Sequence, residues 1–267
     1  MQIVGYDSGV GGTDASGPAG LLVARHQRSG DDPAPVERID LTPGTELAYS
    51  LGDRRCAGTI HDGSHIACSA AQTPYCVSHQ NVWVCARCTG TCLKEEMDCL
   101  EEHAVYLAAF APDRFKVGVT RTWRLETRLE EQGADRGARI RTAENGRIAR
   151  EIEAERANEV EELVDRVRVS EKRAGLGASL DERAWNRLLE RFEPDRRFEF
   201  EYGIDLDERP IDETMASGRV LTTKGRLLVL ERGGSTYAVD LRDLVGHDLI
   251  EGRSARDLQS NLGAFEP

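Results

Sequence analysis

Seven cysteines lie between residues 56 and 99, and four of them fall in the 18-residue stretch VWVCARCTGTCLKEEMDC at 82–99. Four of the six histidines also lie between residues 56 and 103. Thiolates and imidazoles at short spacings bind transition metals or carry redox chemistry. This segment is rich in Gly, Ser and Thr and poor in large aliphatic residues, so it cannot form a hydrophobic core alone. We therefore expect chemistry at the cysteines to hold it together.

The spacing of these residues is typical of zinc ligands. Zn²⁺ takes four tetrahedral ligands, and two ligands separated by two residues can curl around one ion. Cys85 and Cys88 have that spacing, as do Cys76 and His79. The pattern predicts two structural zinc sites, whose eight ligands would be Cys56, Cys68, Cys76, His79, Cys85, Cys88, Cys92 and Cys99. We expect Cys85 and Cys88 to share an ion, while the rest of the partition is open. Spare candidates are His61, His65 and His103.

The cysteines have three other interpretations. Each cysteine alone could be a small buried hydrophobic residue. CARC could be a redox dithiol, but the strand–helix–strand context of thioredoxin-type motifs is missing around it. An iron–sulfur cluster is chemically compatible with this many thiolates. Seven cysteines in 44 residues, together with the short spacings, favour zinc.

A basic stretch follows the cysteines. Residues 113–150 contain ten Arg or Lys against six Asp or Glu, a net charge of +4 within a chain of −12. On a helix, Arg121, Arg124 and Arg128 would share one face, because residues three and seven positions apart lie on the same side. Such a face predicts contact with phosphate. The alternative is a solvated helix surface on which the arginines pair with neighbouring glutamates.

The elements that position these residues follow from the hydrophobic pattern. From residue 104, AVYLAAF and FKVGVT flank a Pro-Asp turn and predict a β-hairpin. RTWRLETRLEEQ predicts a helix, with Leu125 and Leu129 as its apolar stripe, that stops at Gly133. ARIRTAENG predicts a third strand, and RIAREIEAERANEVEELVDRV a helix of about 20 residues. The predicted order is β-β-α-β-α.

Both ends of the chain predict antiparallel β structure. Residues 1–50 alternate short apolar runs with Gly, Pro and Asp turns. Near the other end, Asp181 can cap a short helix, ERAWNRLLERF, and FEFEYGIDL and a Gly-Gly hairpin follow. The predicted divisions are a β region at 1–50, a Cys/His segment at 51–103, an α+β domain at 104–170, and a helix with a β region at 171–267.

These motifs resemble a known family. VYL at 105–107, KVG at 116–118 and Arg128 in TRLEEQGA look like the GIY-YIG nuclease fold, over about residues 103–165. The cysteine-rich lead-in, HAVYLAAF, KVGVTR and EQGA are also similar to an uncharacterised domain-of-unknown-function family common in haloarchaea and thought to be related to GIY-YIG proteins. The resemblance implies an α+β protein: a GIY-YIG-like β-β-α-β-α core, preceded by a zinc-binding segment and flanked by small antiparallel β regions at both ends.

The resemblance also implies a phosphodiesterase site. Tyr106 matches the tyrosine of the first motif, Gly118 the glycine of the second, and Arg128 the arginine of the helix, while Lys116 stands where the second motif has a tyrosine. Arg128 would stabilise charge on the phosphate, and Tyr106 or Lys116 would position or deprotonate the attacking water. Without catalysis, Tyr106 would be a packing residue of its strand.

A glutamate on the second helix would hold Mg²⁺ in such a site. The resemblance favours Glu153, with Glu151 second and Glu155 also available. The expected function is therefore a zinc-containing protein that acts on DNA or RNA, with Mg²⁺-dependent cleavage as its reaction. The alternatives are a non-catalytic nucleic-acid-binding module with a degenerate site and a protein-interaction module.

The composition indicates the environment in which this chemistry takes place. Only four of the 35 basic residues are lysine, and the chain is strongly acidic. Such a surface suits a cytosol at molar salt, where the Debye length falls to about 3 Å, and a GC-rich genome is the other explanation for so much arginine. No run approaches 18 apolar residues and no secretion signal is evident, so we expect a cytoplasmic protein that does not contact a membrane. The oligomeric state is open.

Overall fold

The computed structural model describes residues 1–9, 17–26, 33–80, 100–164, 166–206 and 208–252. The chain divides into two compact units, of which the first is Met1–Asn81 with Tyr202–Pro267 and the second is Val82–Glu201. The first unit is therefore built from both ends of the sequence. Strands outnumber helices among the described residues, which confirms a mixed α+β protein.

The described strands, in chain order, are β1 (Gln2–Asp7), β2 (Gly20–Ala24), β3 (Ala34–Asp40), β4 (Glu46–Arg54), β5 (Thr59–His61), β6 (Ser64–Ile66), β7 (His103–Phe110), β8 (Arg114–Arg121), β9 (Arg136–Ala143), β10 (Leu163–Val164), β11 (Arg196–Glu199), β12 (Ile211–Asp212), β13 (Ala216–Lys224), β14 (Leu227–Arg232), β15 (Ser235–Asp240) and β16 (His247–Glu251). The helices are α1 (Leu125–Glu131), α2 (Gly146–Glu159), α3 (Val169–Ala174), α4 (Glu182–Leu189) and α5 (Leu241–Leu244), and a 3-10 turn at Thr122–Arg124 precedes α1.

Eleven of the described strands form the sheet of the first unit, in the order β12-β15-β14-β13-β4-β16-β1-β2-β3-β6-β5. Strand β1 lies between β2 and β16, so strands from the two ends of the chain are direct neighbours. The predicted Gly-Gly hairpin joins β14 to β15, and φ is +60° at Gly233 and +78° at Gly234, values that glycine adopts without strain. Leu21, Leu228 and Val239 are fully buried in the core of this unit.

The sheet of the second unit has the order β10-β8-β7-β9-β11 within the described residues. Strands β7 and β8 form the predicted hairpin, paired antiparallel along their whole length from His103–Arg121 to Phe110–Arg114. Strand β7 is central and is buried from Ala104 to Phe110, because alternate side chains on a strand point to opposite faces and both faces of this one are covered. The order β-β-α-β-α is present from β7 to α2.

The two faces of this sheet carry different helices. Val105 and Leu107 of β7 pack on one face with Ala149 of α2 and with α4. Tyr106 packs on the other face with Leu125 and Leu129, the predicted apolar stripe of α1. We call the second of these surfaces the Tyr106 face. It is the face that the first helix covers, and the second helix lies across the sheet from it.

Two predicted elements are shorter than expected. Helix α2 ends at Glu159, whereas the sequence predicts helix through about residue 167. Val160 is extended and 2% exposed, and β10 pairs parallel with β8, so burial of apolar residues next to the sheet overrides the helix propensity of this stretch. Only the first two residues of FEFEYGIDL belong to a strand, β11.

The predicted cap of α4 is confirmed, since the Asp181 side chain accepts a hydrogen bond from the Ala184 N–H at 2.9 Å. None of the helices in the described ranges is both long and apolar enough to cross a membrane.

Candidate metal centre and candidate nucleic-acid interface

Two connecting segments of the first unit, one between β4 and β5 and one after β6, bring four of the predicted ligands together. Cys56 follows β4, Cys68 follows β6, and Cys76 and His79 share one turn in which the His79 N–H donates to the Cys76 carbonyl at 2.9 Å. The two segments are tied to each other by backbone hydrogen bonds from Cys56 N–H to the Ala70 carbonyl, at 2.8 Å, and from Ala57 N–H to the Pro74 carbonyl. The convergence is therefore a product of main-chain structure as well as of the side chains.

The donor atoms of this cluster could hold one metal ion. The three Sγ atoms and an imidazole nitrogen all lie within 4.8 Å of one another. Sγ of Cys68 is 3.9 Å from Sγ of Cys76, and Nδ1 of His79 is 3.5 Å from Sγ of Cys56 and 3.3 Å from Sγ of Cys76. Sulfur atoms 3.9 Å apart are not a disulfide, whose S–S bond is about 2.05 Å. We call these four residues the Cys₃His cluster.

The surroundings of the cluster favour bound thiolate. The backbone N–H groups of Gly58 and Cys76 donate to Sγ of Cys56 at 3.4 and 3.2 Å. Burial raises the pKa of the Cys56 thiol. For Cys76 burial also acts upward, but hydrogen bonds from the Ser78 backbone, His79 and the neighbouring thiols lower its pKa to about 6. A cluster that stabilises one thiolate before any cation arrives is chemically suited to a metal.

The remaining predicted ligands divide into two groups. None of the spare histidines joins the cluster: His61 lies beside Asp62, His65 is buried with Nε2 2.8 Å from the Ala57 carbonyl, and His103 contacts the Glu101 carbonyl. The other four predicted thiolates lie outside the described residues, and they are Cys85, Cys88, Cys92 and Cys99. The second zinc site, and the sharing of an ion by Cys85 and Cys88, stay predictions.

Tyr106 and Gly118, which the sequence placed in one site, are direct partners across β7 and β8. A Cβ at residue 118 would lie 2.5 Å from both Cζ and the hydroxyl oxygen of Tyr106, so only glycine leaves space for the ring. Tyr106 is 1% exposed, and its hydroxyl accepts a hydrogen bond from Nε2 of Gln132 at 2.9 Å. The tyrosine is thus a packed side chain with its polar end tied to the residue that follows α1.

Gln132 also connects the other two residues predicted for this site. Nζ of Lys116 donates to Oε1 of Gln132 at 3.0 Å, and Nε2 of Gln132 donates to the Arg128 carbonyl at 2.9 Å. The Arg128 side chain is 45% exposed and contacts Oε2 of Glu131 at 3.3 Å. Gln132 therefore links Tyr106, Lys116 and the main chain of Arg128, while Gly118 packs directly against the Tyr106 ring.

The three arginines predicted on one helical face do not share a helix. Arg121 is the last residue of β8, Arg124 belongs to the 3-10 turn, and only Arg128 lies in α1. The helix starts late because β8 stays paired with β7 as far as Arg121. Arg124 and Arg128 still meet, since Glu131 accepts from Arg124 at 2.7 Å and from Arg128 at 3.3 Å.

The candidate metal-binding glutamate is not brought to the Tyr106 face. Glu153 lies on α2, whose apolar residues pack against the opposite face of the sheet, and Nη1 of Arg150 is 3.6 Å from its carboxylate. Glu151 on the same helix pairs with Arg147 at 3.1 Å, and Glu155 is exposed. The second helix was assigned this role by resemblance, and the alternation of side chains along β7 is what separates it from Tyr106.

Sequence reasoning missed two residues at this interface, Gln132 and Trp123. The pairing of Arg124 and Arg128 with Glu131 agrees with the alternative of a solvated surface on which the arginines contact neighbouring glutamates. Gln132 stands in the quoted EQGA motif, but nothing in its type indicated that it would bridge a tyrosine and a lysine. Trp123 could have been found from the sequence, because RTWR places a tryptophan between two arginines in an acidic chain.

A family model described as "Protein of unknown function (DUF2797)" matches residues 44–209. No curated protein and no solved structure matches the chain significantly. The matched span starts just before β4 and ends before β12, so it contains the Cys₃His cluster and the whole Tyr106 face. Because this span is more than half of the sequence, the chain belongs to the DUF2797 family.

Proposed function

We propose that the protein is a zinc-containing, GIY-YIG-like protein that binds nucleic acid at the Tyr106 face without cleaving it. The observation that carries the proposal is the pairing of Tyr106 with Gly118 beside α1, where Lys116 and Arg128 gather around Gln132. The order β-β-α-β-α supports the resemblance to GIY-YIG proteins. The Cys₃His cluster supplies the metal part of the proposal.

The ligand types and separations of the Cys₃His cluster support zinc as its ion. Tetrahedral ligands at Zn–S of about 2.3 Å and Zn–N of about 2.05 Å place two sulfurs about 3.8 Å apart and a sulfur and a nitrogen about 3.6 Å apart. One sulfur–sulfur separation here is 3.9 Å and two sulfur–nitrogen separations are 3.5 and 3.3 Å, and all the donor atoms lie within 4.8 Å of one another. Three thiolates and one imidazole form a closed set of soft ligands, which is typical of structural zinc. The ion would hold the two connecting segments of the first unit together.

Metal analysis tests this part. We expect purified Cys68→Ser protein to contain about one equivalent less zinc than the wild type, because a closed site needs all four ligands. Ser69→Ala, an exposed neighbour, is the matched control and should keep the full amount. The difference between the two variants measures this site alone, whatever the segment with Cys85 and Cys88 binds. Equal zinc in both variants would contradict the assignment.

The charges on the Tyr106 face support binding to phosphate. Lys116 has a neutral hydrogen-bond acceptor, and Arg124 and Arg128 share the single carboxylate of Glu131. Arg124 and Arg128 are 39% and 45% exposed, and exposed ion pairs contribute only about 0–1 kcal/mol. A phosphate can therefore displace Glu131 at little cost and form charge-assisted hydrogen bonds with the same guanidinium groups.

Three features favour binding over hydrolysis. The Tyr106 hydroxyl is buried and already accepts a hydrogen bond, so it is poorly placed to activate water. Glu153 lies on the helix across the sheet, so the carboxylate that would hold Mg²⁺ is separated from Arg128. Lys116, in place of the second-motif tyrosine, adds a cation, which aids phosphate binding more than catalysis.

The decisive assay is binding of fluorescein-labelled DNA and RNA, single-stranded and duplex, over a salt series. We expect the double variant Lys116→Gln/Arg128→Gln to bind more weakly. On single strands its log–log salt slope should be lower by about 0.7 for each phosphate that the variant no longer neutralises. The control is Arg147→Gln/Arg187→Gln, which removes two exposed charges from α2 and α4. Equal weakening in the two double variants, or no binding by the wild type, would contradict the proposal.

A cleavage assay separates binding from hydrolysis. We expect no Mg²⁺- or Mn²⁺-dependent cleavage of any of these substrates by the wild type. Cleavage that Glu153→Ala abolishes would overturn the non-catalytic part and restore the nuclease interpretation.

A further inference from the structure

Trp123 is an exposed aromatic side chain flanked by two arginines. It is 62% exposed, and it is the one aromatic among the exposed large hydrophobic residues of the described ranges. The other tryptophan in these ranges, Trp185, is 4% exposed and stacks on Phe115 at 5.8 Å between ring centroids. Leaving most of an indole in water forgoes the stabilisation that burying it would give. The exposure of Trp123 therefore indicates a role at the surface and not in the core.

The indole is held in place by its neighbours. Its Nε1–H donates to the Glu101 carboxylate at 3.2 Å, and Cζ of Arg121 and of Arg124 lie 5.8 and 5.9 Å from the ring centroid, within cation–π range. The 3-10 turn that carries it is anchored by a hydrogen bond from the Thr122 N–H to the Glu102 carbonyl. The ring is thus presented from the junction of β8 and α1 and not from a long loop.

We propose that Trp123 stacks on an unpaired base, so that the ligand of the Tyr106 face is single-stranded nucleic acid. An unpaired nucleotide offers an aromatic face next to an anionic phosphate, and Trp123 with Arg121 and Arg124 offers an aromatic face next to two cations. A duplex hides the faces of its bases, so this arrangement discriminates against it. The inference rests on the proposed function, because it names the form of nucleic acid that the same surface binds.

Glu131 connects the indole of Trp123 to helix α1, so that the two form one continuous surface. Arg124 contacts both the ring of Trp123 and Glu131, and Glu131 also contacts Arg128. A strand stacked at Trp123 can therefore place neighbouring phosphates on the two arginines of the turn and of α1. The carboxylates of Glu101 and Glu131 are the partners that such phosphates replace.

The test compares Trp123→Ala with Trp123→Phe in binding to a labelled single strand of about 16 nucleotides and to the matching duplex. We expect Trp123→Ala to weaken single-strand binding about 5- to 100-fold, with Trp123→Phe between it and the wild type. Because stacking releases no counterions, this weakening should be the same at about 0.1 M and about 1 M salt. Ile148→Ala, which trims an exposed apolar residue of α2, should bind as the wild type.

The results distinguish failure of the stacking inference from failure of the proposed function. If the single strand binds but Trp123→Ala binds it equally well, or loses duplex binding to the same extent, stacking is overturned and phosphate binding stands. If the wild type binds no nucleic acid, both proposals fall. If only poly-glutamate binds in a Trp123-dependent way, the surface takes an acidic protein instead. Should Trp123→Ala fold poorly, quenching of tryptophan fluorescence by the strand, present in the wild type and absent in Trp123→Phe, decides the same question.

Discussion

Replacing Gly118 with alanine should destabilise the second unit by about 1–3 kcal/mol, the usual cost of adding a methyl group to a packed core. The new Cβ would lie 2.5 Å from Cζ of Tyr106, where carbon atoms normally keep about 3.5–4.0 Å, so the ring would have to retreat by about 1 Å. The ring is 1% exposed and its hydroxyl is held by Gln132, so that space is not available. In an open strand the same change is neutral or stabilising, because alanine has less backbone entropy to lose than glycine.

The control is Gly5→Ala in β1. Its Cβ would approach Leu22 no closer than 3.4 Å, an ordinary contact, and its φ is not in the left-handed region. Denaturant unfolding of both variants is followed by circular dichroism and by tryptophan fluorescence, in which buried Trp185 reports on the second unit. We expect a lower free energy of unfolding for Gly118→Ala and little change for Gly5→Ala.

A double-mutant cycle identifies the cause. In a Tyr106→Leu background the ring atoms that clash with residue 118 are gone, so Gly118→Ala should cost at least about 1 kcal/mol less than in the wild type. The reasoning is refuted if Gly118→Ala is as stable as the wild type, or if its cost is unchanged when Tyr106 is shortened.

Three further predictions concern capping, pH and charge. Asp181→Ala should destabilise the second unit by about 1 kcal/mol in urea unfolding, because the Ala184 N–H loses its acceptor, and Asp181→Asn should retain most of that stability. Burial lowers the pKa of His65, and nearby positive charge lowers it further. As pH falls through about 6.5, His65 is therefore protonated in the unfolded chain before it is protonated in the folded chain. The stability of the first unit should accordingly drop below that pH, and the stability difference between His65→Gln and the wild type should depend on pH; a difference that is constant from about pH 7 to about pH 5 would contradict this. Glu131→Gln should raise affinity for the single strand and steepen its salt dependence, since two arginines lose their shared anion; unchanged binding would show that these arginines do not meet phosphate.

Local patterns predicted the second unit better than the first. AVYLAAF and FKVGVT specify a hairpin because the two strands are separated by only a short Pro-Asp turn, and their full register is found. The pairing of β1 with β16 joins residues almost a chain length apart, and no local signal encodes such a partner. The predicted helix does not extend to Val160, because burying that residue against the sheet stabilises the fold more than continuing the helix would.

The candidate sites show the same division. The short spacing of Cys76 and His79 predicted that they lie together, and Sγ of Cys76 is 3.3 Å from Nδ1 of His79. Cys56 and Cys68 lie in different connecting segments that backbone hydrogen bonds join, so their grouping could be seen only in the fold. On the Tyr106 face, the resemblance identified Tyr106 and Gly118, but the role of Gln132 depends on where α1 ends, which the sequence leaves uncertain by a residue or two.

The neighbours of β4 have a consequence for how the chain is made. Both β13 and β16 follow the second unit in the sequence, so a ribosome has completed the second unit before either partner of β4 exists. Until then both edges of β4 are open to other strands. A second unit that folds early shortens the effective loop between β4 and β13, which lowers the entropy cost of closing it. Nascent protein truncated before β13 should therefore bind chaperones strongly, and full-length protein should not.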